Sequence, residues 1–102
     1  MNHAGTIRIV ADPDLGGLIP QYVRRRHEDL VKTREALASA DMETIRITGH
    51  SMKGSGGGYG FDGISDIGGR METAGNENDP IAAAESVAAL ADYLERLEVV
   101  YE

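Results

Sequence analysis

From Ile81 to Tyr101, apolar side chains recur at Ile81, Ala84, Val87, Leu90, Leu94, Leu97 and Tyr101. Steps of three and four place them on one stripe of an α-helix, and a stripe that long must be covered by other parts of the chain. Asp79 and Pro80 stand just before it, an N-cap followed by the residue best suited to the first helical position. The spacing predicts a helix running nearly to the end of the chain. Three further segments repeat the pattern. Ile19, Val23, Leu30 and Leu37 predict a helix from Pro20 to about Ala40, with Arg24, Arg25, Glu28, Asp29, Lys32 and Glu35 as its polar remainder. Asp41 caps a second helix, with Glu43 in the first turn, where a carboxylate suits the helix dipole, and Met42, Ile45 and Met52 following. Phe61, Ile64, Ile67, Met71 and Ala74 predict a third, closed by the turn-forming stretch "GNEND".

A chain of 102 residues, 41% hydrophobic, has room for one core. Four amphipathic helices with short connections pack as antiparallel neighbours, so the expected fold is all-α, an antiparallel four-helix bundle with a short N-terminal helix or extended lead-in. Residues 1–11 form the lead-in and residues 12–102 the domain. Within the lead-in "TIRIVA" is extended or a strand with no obvious partner. Asp12 and Pro13 start a short helical piece carrying Leu15, Leu18 and Ile19, which Pro20 closes or kinks. One bundle can consume all four stripes, which makes a monomer the expectation.

Ten Lys and Arg against seventeen Asp and Glu leave a formal charge of −7, which argues against nucleic acid or an anionic membrane as the partner. No apolar run approaches the ~18 residues of a membrane span, and "MNHAGTIRIVADPDL" lacks a basic leader. The absence of cysteine removes disulfides, thiolate chemistry and cysteine zinc sites, and fits a reducing compartment. The expected location is cytoplasmic.

The stretch that breaks the regular pattern is "GHSMKGSGGGYG", Gly49 to Gly60. As a phosphate-binding loop it fails: Gly49 and Gly54 have P-loop spacing, but Ser55 stands where the lysine is required. "GYGFDG" matches G-x-G-x-x-G, yet no strand precedes it in a βαβ setting. Continued as a helix from Asp41, the segment separates into two faces. Arg46, Lys53, Gly54 and Gly57 fall within about 60° of His50, and Ile45, Met52 and Tyr59 within about 40° of the opposite direction. His50 then points to solvent beside two cations and two residues without side chains, a surface suited to a phosphoryl group and to close approach by another protein. The competing reading ends the helix near Gly54 and leaves the remaining glycines as loop.

"HSMKGSGGGYGF" resembles the signature of histidine phosphotransfer (HPt) domains: a histidine, an apolar residue two positions on, Lys-Gly, small residues, then a glycine entering the next helix. "GLIPQYVRRRHEDL" and "GFDGISDIGGRMETA" extend the resemblance over nearly the whole chain from Asp12. It implies a helical bundle with an antiparallel four-helix core. It also implies a phosphorelay intermediate in which His50 accepts a phosphoryl group from a receiver-domain aspartyl phosphate and hands it to another receiver. Lys53 matches the cation near the phosphoryl group, and Gly54 the small residue opening access. Ser55 and Gly60 match positions with structural roles. Gly49, Met52 and the run Gly56 to Gly58 depart from the usual alanine, leucine and lower glycine content, which bears on helix rigidity.

The resemblance implies as partners the receiver domains of response regulators or hybrid histidine kinases. The assisting divalent cation belongs to the receiver, and no cofactor belongs to this chain. An exposed imidazole is substantially neutral and nucleophilic near pH 7, and an aspartyl phosphate is already activated, so in-line approach and charge neutralisation suffice. Reaction through Nε2 needs an acceptor on the other ring nitrogen, which the sequence does not identify. Without a nucleotide site the chain is a phosphocarrier and no ATP-dependent kinase. Ile47 is an exposed apolar residue available for docking, and Tyr59 points to the core. His27 and the run Arg24 to Arg26 are expected on a solvated helix face, and His3 in the terminus. The three histidines lack zinc spacing. The rival readings are a non-catalytic helical interaction module and the phosphotransfer fragment of a chemotaxis-type kinase.

Overall fold

The computed structural model of the protein describes residues 5–101, so His3 lies outside the described residues. The chain forms β1 (Ile7–Ala11), α1 (Ile19–Ala38), α2 (Met42–Ser55), α3 (Asp62–Asn76), α4 (Pro80–Arg96) and β2 (Leu97–Tyr101). Single 3-10 turns at Pro13–Leu15 and Gly57–Tyr59 lead into α1 and out of α2. The caps are chemical: Asp41 accepts from the Thr44 backbone N–H, and Asp79 from that of Ala82, with Pro80 opening α4. Pro20 sits in the first turn of α1, where its missing N–H costs nothing, and so opens the helix.

The four helices make the antiparallel bundle around Ile19, Ile45, Met52, Phe61, Ile64, Met71 and Leu90, each no more than 1% exposed. Burying a side chain of this size contributes roughly 1.5–3 kcal/mol relative to leaving it in water. The closest helix pair is α2 with α3, and glycine sets its distance. A side chain built at Gly49 would lie 2.5 Å from the Glu72 backbone nitrogen and 2.7 Å from the Gly68 carbonyl oxygen; one at Gly68 would lie 2.5 Å from the Lys53 nitrogen. Gly56 and Gly75, seven residues from Gly49 and Gly68, meet Ser65 and Arg46 backbone in the same way. With no Cβ at these positions the two backbones come almost into contact.

Four expectations change. The fourth helix stops at Arg96, and Leu97 takes an extended conformation. Leu97–Tyr101 instead pairs parallel with Ile7–Ala11, Ile7 opposite Leu97 and Ala11 opposite Tyr101, so the lead-in strand has its partner at the far end of the sequence. The buried stripe of α4 is Ala83, Val87, Leu90 and Leu94 with Ser86 and Tyr93, while Ile81 is 73% exposed. On α1 the inner stripe is Ile19, Tyr22, Arg26, Asp29, Thr33 and Ala36, which takes Arg26 and Asp29 off the expected solvated face. Opposite charge and neighbouring hydroxyls offset part of the cost of burial there, although the Arg26 Nε–H itself has no hydrogen-bond partner among the described residues. Arg26 Nε lies 3.0 Å from Asp29 Oδ2, its Nη1 donates to Ser55 Oγ, and the Thr33 hydroxyl donates to the Asp29 carbonyl.

Candidate functional site

Helix α2 turns Ile45, Thr48, Gly49 and Met52 inward. Its opposite face carries His50, whose side chain is 73% exposed. Because Gly49 and Gly68 let α2 and α3 approach so closely, Glu72, one turn beyond Gly68, reaches across the seam. Its Oε2 lies 2.8 Å from His50 Nδ1, and its Oε1 lies 3.5 Å from Lys53 Nζ. One carboxylate thus spans a histidine and a lysine set three residues apart on the facing helix.

Hydrogen bonding from His50, helped by the Lys53 charge, holds the Glu72 carboxyl below its ordinary range. An ionised carboxylate only accepts, so the proton of the contact resides on Nδ1, and in the neutral imidazole the lone pair is then on Nε2. The Lys53 side chain is 60% exposed, and its stem passes Gly69, where a side chain would lie 3.7 Å from Lys53 Cδ. The ammonium sits at the mouth of the site.

Arg46, on the same face one turn earlier, is paired with Glu43 through Nη2 to Oε2 at 2.6 Å and Nε to Oε1 at 3.0 Å. That pair lowers the Glu43 carboxyl below its ordinary range and raises the Arg46 guanidinium. Gly54 is exposed, and a side chain there would meet nothing within 4 Å. Ile47 is 52% exposed on the same helix, and His27 is exposed on α1.

The glycine run ends the helix earlier than the two-face reading assumed. The Ser65 hydroxyl enters the ladder, accepting from the Gly57 N–H at 2.9 Å and donating to the Lys53 carbonyl at 3.0 Å, where a helix would join those two groups directly. The N–H of Phe61 bonds the Gly56 carbonyl, and Gly60 turns the chain with φ +89°, a conformation that favours glycine. Gly57 therefore lies past α2 in the 3-10 turn. Tyr59 is half-buried, stacked on Tyr22 at 4.4 Å. Around His50 the structure gathers Lys53, the open Gly54 and Glu72, and it places Arg46 in its own ion pair.

Glu72 is the residue that sequence reasoning did not find. Its signal was the matched seven-residue glycine spacing, Gly49 to Gly56 and Gly68 to Gly75, which marks the faces of two closely crossing helices. Among the described residues no group of three or more histidine, aspartate or glutamate side chains lies close enough to hold a metal ion, and no helix is long and apolar enough to cross a membrane. Residues 18–99 match the model of the family described as Hpt domain. No curated protein and no solved structure matches the chain.

Proposed function

The chain belongs to the Hpt domain family, and from that membership we propose that His50 is the residue that carries the phosphoryl group. Domains of this family are phosphocarriers of two-component phosphorelays and interact with receiver domains. The finer reading is that His50 takes the group from a receiver-domain aspartyl phosphate and passes it to a second receiver. The observation that carries it is the 2.8 Å contact of Nδ1 with Glu72, which leaves Nε2 outward on a side chain 73% exposed.

In the transfer, the Nε2 lone pair forms the bond to phosphorus as the bond from phosphorus to the aspartate oxygen breaks, and the aspartate leaves as a carboxylate. Positive charge develops on the imidazole ring. Glu72 faces that charge across Nδ1–H and stabilises it, as a fixed carboxylate does when it needs no reorganisation. Lys53 approaches the phosphoryl oxygens from one turn away, released from a 3.5 Å contact with Glu72 that holds it only loosely. Gly54 presents no side chain against the incoming receiver, and Ile47 offers apolar surface to it. Arg46 and Gly57 act at the margin of the docking surface. The divalent cation that assists the step belongs to the receiver, and the chain does not phosphorylate itself from ATP.

The test is transfer from a panel of phosphorylated receiver domains to the protein and to His50→Gln. The expected result is acid-labile, base-stable label on the unsubstituted protein alone. Equal label on His50→Gln, or none from any receiver that binds, overturns the assignment.

A further inference from the structure

The chain carries a formal charge of −7, yet one cavity gathers positive charge. It holds about 220 Å³ between the first half of α1 and the last turns of α2, and Gln21, Arg25, Arg26, Ser51, Ser55 and Tyr59 line it, with no carboxylate among the described residues of its walls. The larger groove beside Lys53 is different: there Asp66, Glu77 and Glu85 stand with Arg70.

The Arg26 side chain is only 10% exposed. Among the described residues its side-chain hydrogen bond runs from Nη1 to Ser55 Oγ at 3.2 Å. Its ring-face neighbour is Tyr22, 4.5 Å from the guanidinium carbon. Asp29 stands 3.0 Å from Nε, but the N–H does not point at the carboxylate and makes no hydrogen bond with it. The other Asp29 oxygen is 3.9 Å from Lys32, so one carboxylate is divided between two cations. Burial also pushes the Asp29 carboxyl up, against the pull of Arg26 and Lys32. A guanidinium has five N–H donors, and a buried one is costly until they are used. Arg25, exposed at the rim, adds a second fork.

We propose that this cavity binds a small oxyanion between Arg25 and Arg26, with the Gln21 amide and the Ser51 and Ser55 hydroxyls completing its hydrogen bonds. Paired guanidinium forks match phosphate and carboxylate geometry. The site is separate from the histidine. Ser51 and Ser55 lie about 100° and 140° around α2 from His50, whereas Glu72 and Lys53 meet on its α3 side. A bound anion joins α1 to α2 and stabilises the fold by linkage.

The experiment is an amide-resolved NMR titration with inorganic phosphate and, separately, acetate, with ionic strength held constant by chloride. It is run on the protein, on His50→Gln and on Arg25→Gln, the last checked for intact helicity. Saturable shifts at Gln21, Ser51 and Ser55 are expected in the first two proteins, with affinity about tenfold weaker in Arg25→Gln. Tighter phosphate than acetate identifies a site selective for phosphate, and comparable binding identifies a site for oxyanions of either class. Shifts confined to His50 and Lys53, no saturation with either anion, or an unchanged Arg25→Gln affinity overturns the proposal, and none of these bears on phosphoryl transfer at His50.

Discussion

Replacing Gly49 by alanine adds a single methyl group to α2, and the structure gives that methyl nowhere to go. It would lie 2.5 Å from the Glu72 nitrogen, 2.7 Å from the Gly68 oxygen and 2.9 Å from Met71 Cβ. Two of those three neighbours are backbone and cannot rotate away, so the helices must separate. Overpacking of this kind costs about 1–3 kcal/mol, and the upper end applies here. Alanine returns up to about 1 kcal/mol of helix propensity. A net loss of about 2 kcal/mol remains, a fall of about 10 °C in Tm for a domain of this size. Gly54→Ala is the control. It is the same substitution on the same helix, with nothing within 4 Å of the new methyl, so stability rises by about 0.5 kcal/mol. Chemical denaturation followed by circular dichroism measures both. Equal stabilisation by the two substitutions would refute the close α2–α3 approach and, with it, the reach of Glu72 to His50. A second readout separates fold from function, because Gly54→Ala is expected to slow transfer from a receiver while melting higher.

Glu72→Gln removes the charge facing His50 Nδ1 and is expected to slow phosphoryl transfer about tenfold without unfolding the domain, read by single-turnover labelling. The Glu72 carboxyl is lowered in the folded state, so its contribution to stability is present above the ordinary carboxylate range and is lost as pH falls through the depressed native value. A carbon-detected NMR titration should show that carboxyl moving back up in His50→Gln, because His50 Nδ1 stands 2.8 Å from it; no movement would place the cause elsewhere. Lys53→Ala should slow transfer and flatten its salt dependence while leaving Tm unchanged, and a lowered Tm with unaltered transfer would give Lys53 a structural role instead. Ser55→Ala strands the Arg26 Nη1 and the Tyr22 hydroxyl, and urea denaturation should show a loss of about 1–2 kcal/mol.

The helices were legible because their signals are local. Asp41 and the Asp79-Pro80 pair mark starts through chemistry contained within one turn, and the apolar steps of α3 from Phe61 to Ala74 are all buried. The end of α4 was not legible, because Leu97 and Tyr101 continue the helical spacing from Leu94 and only a partner strand ninety positions away decides against it. Arg26 and Asp29 looked like surface residues because composition along α1 cannot reveal that they bury against each other and against Ser55 on another helix. Exposure of His50 followed from the inward face of α2. Its partner depended on the distance between two helix axes, a quantity stored in Gly49 and Gly68 jointly and in neither alone.

The strand pair has a consequence under tension. β1 and β2 run parallel, so a pull on the chain upstream of Ile7 and downstream of Tyr101 draws the two strands in opposite directions along their own axes. The ladder is then loaded in shear, its hydrogen bonds resisting together instead of opening one after another as in peeling. Force spectroscopy should find the first rupture in this ladder, and a variant lacking residues 1–11 should lose it. Until the ladder breaks it acts as a mechanical clasp, and traction on the ends of the chain does not reach the seam between α2 and α3 that holds Glu72 against His50.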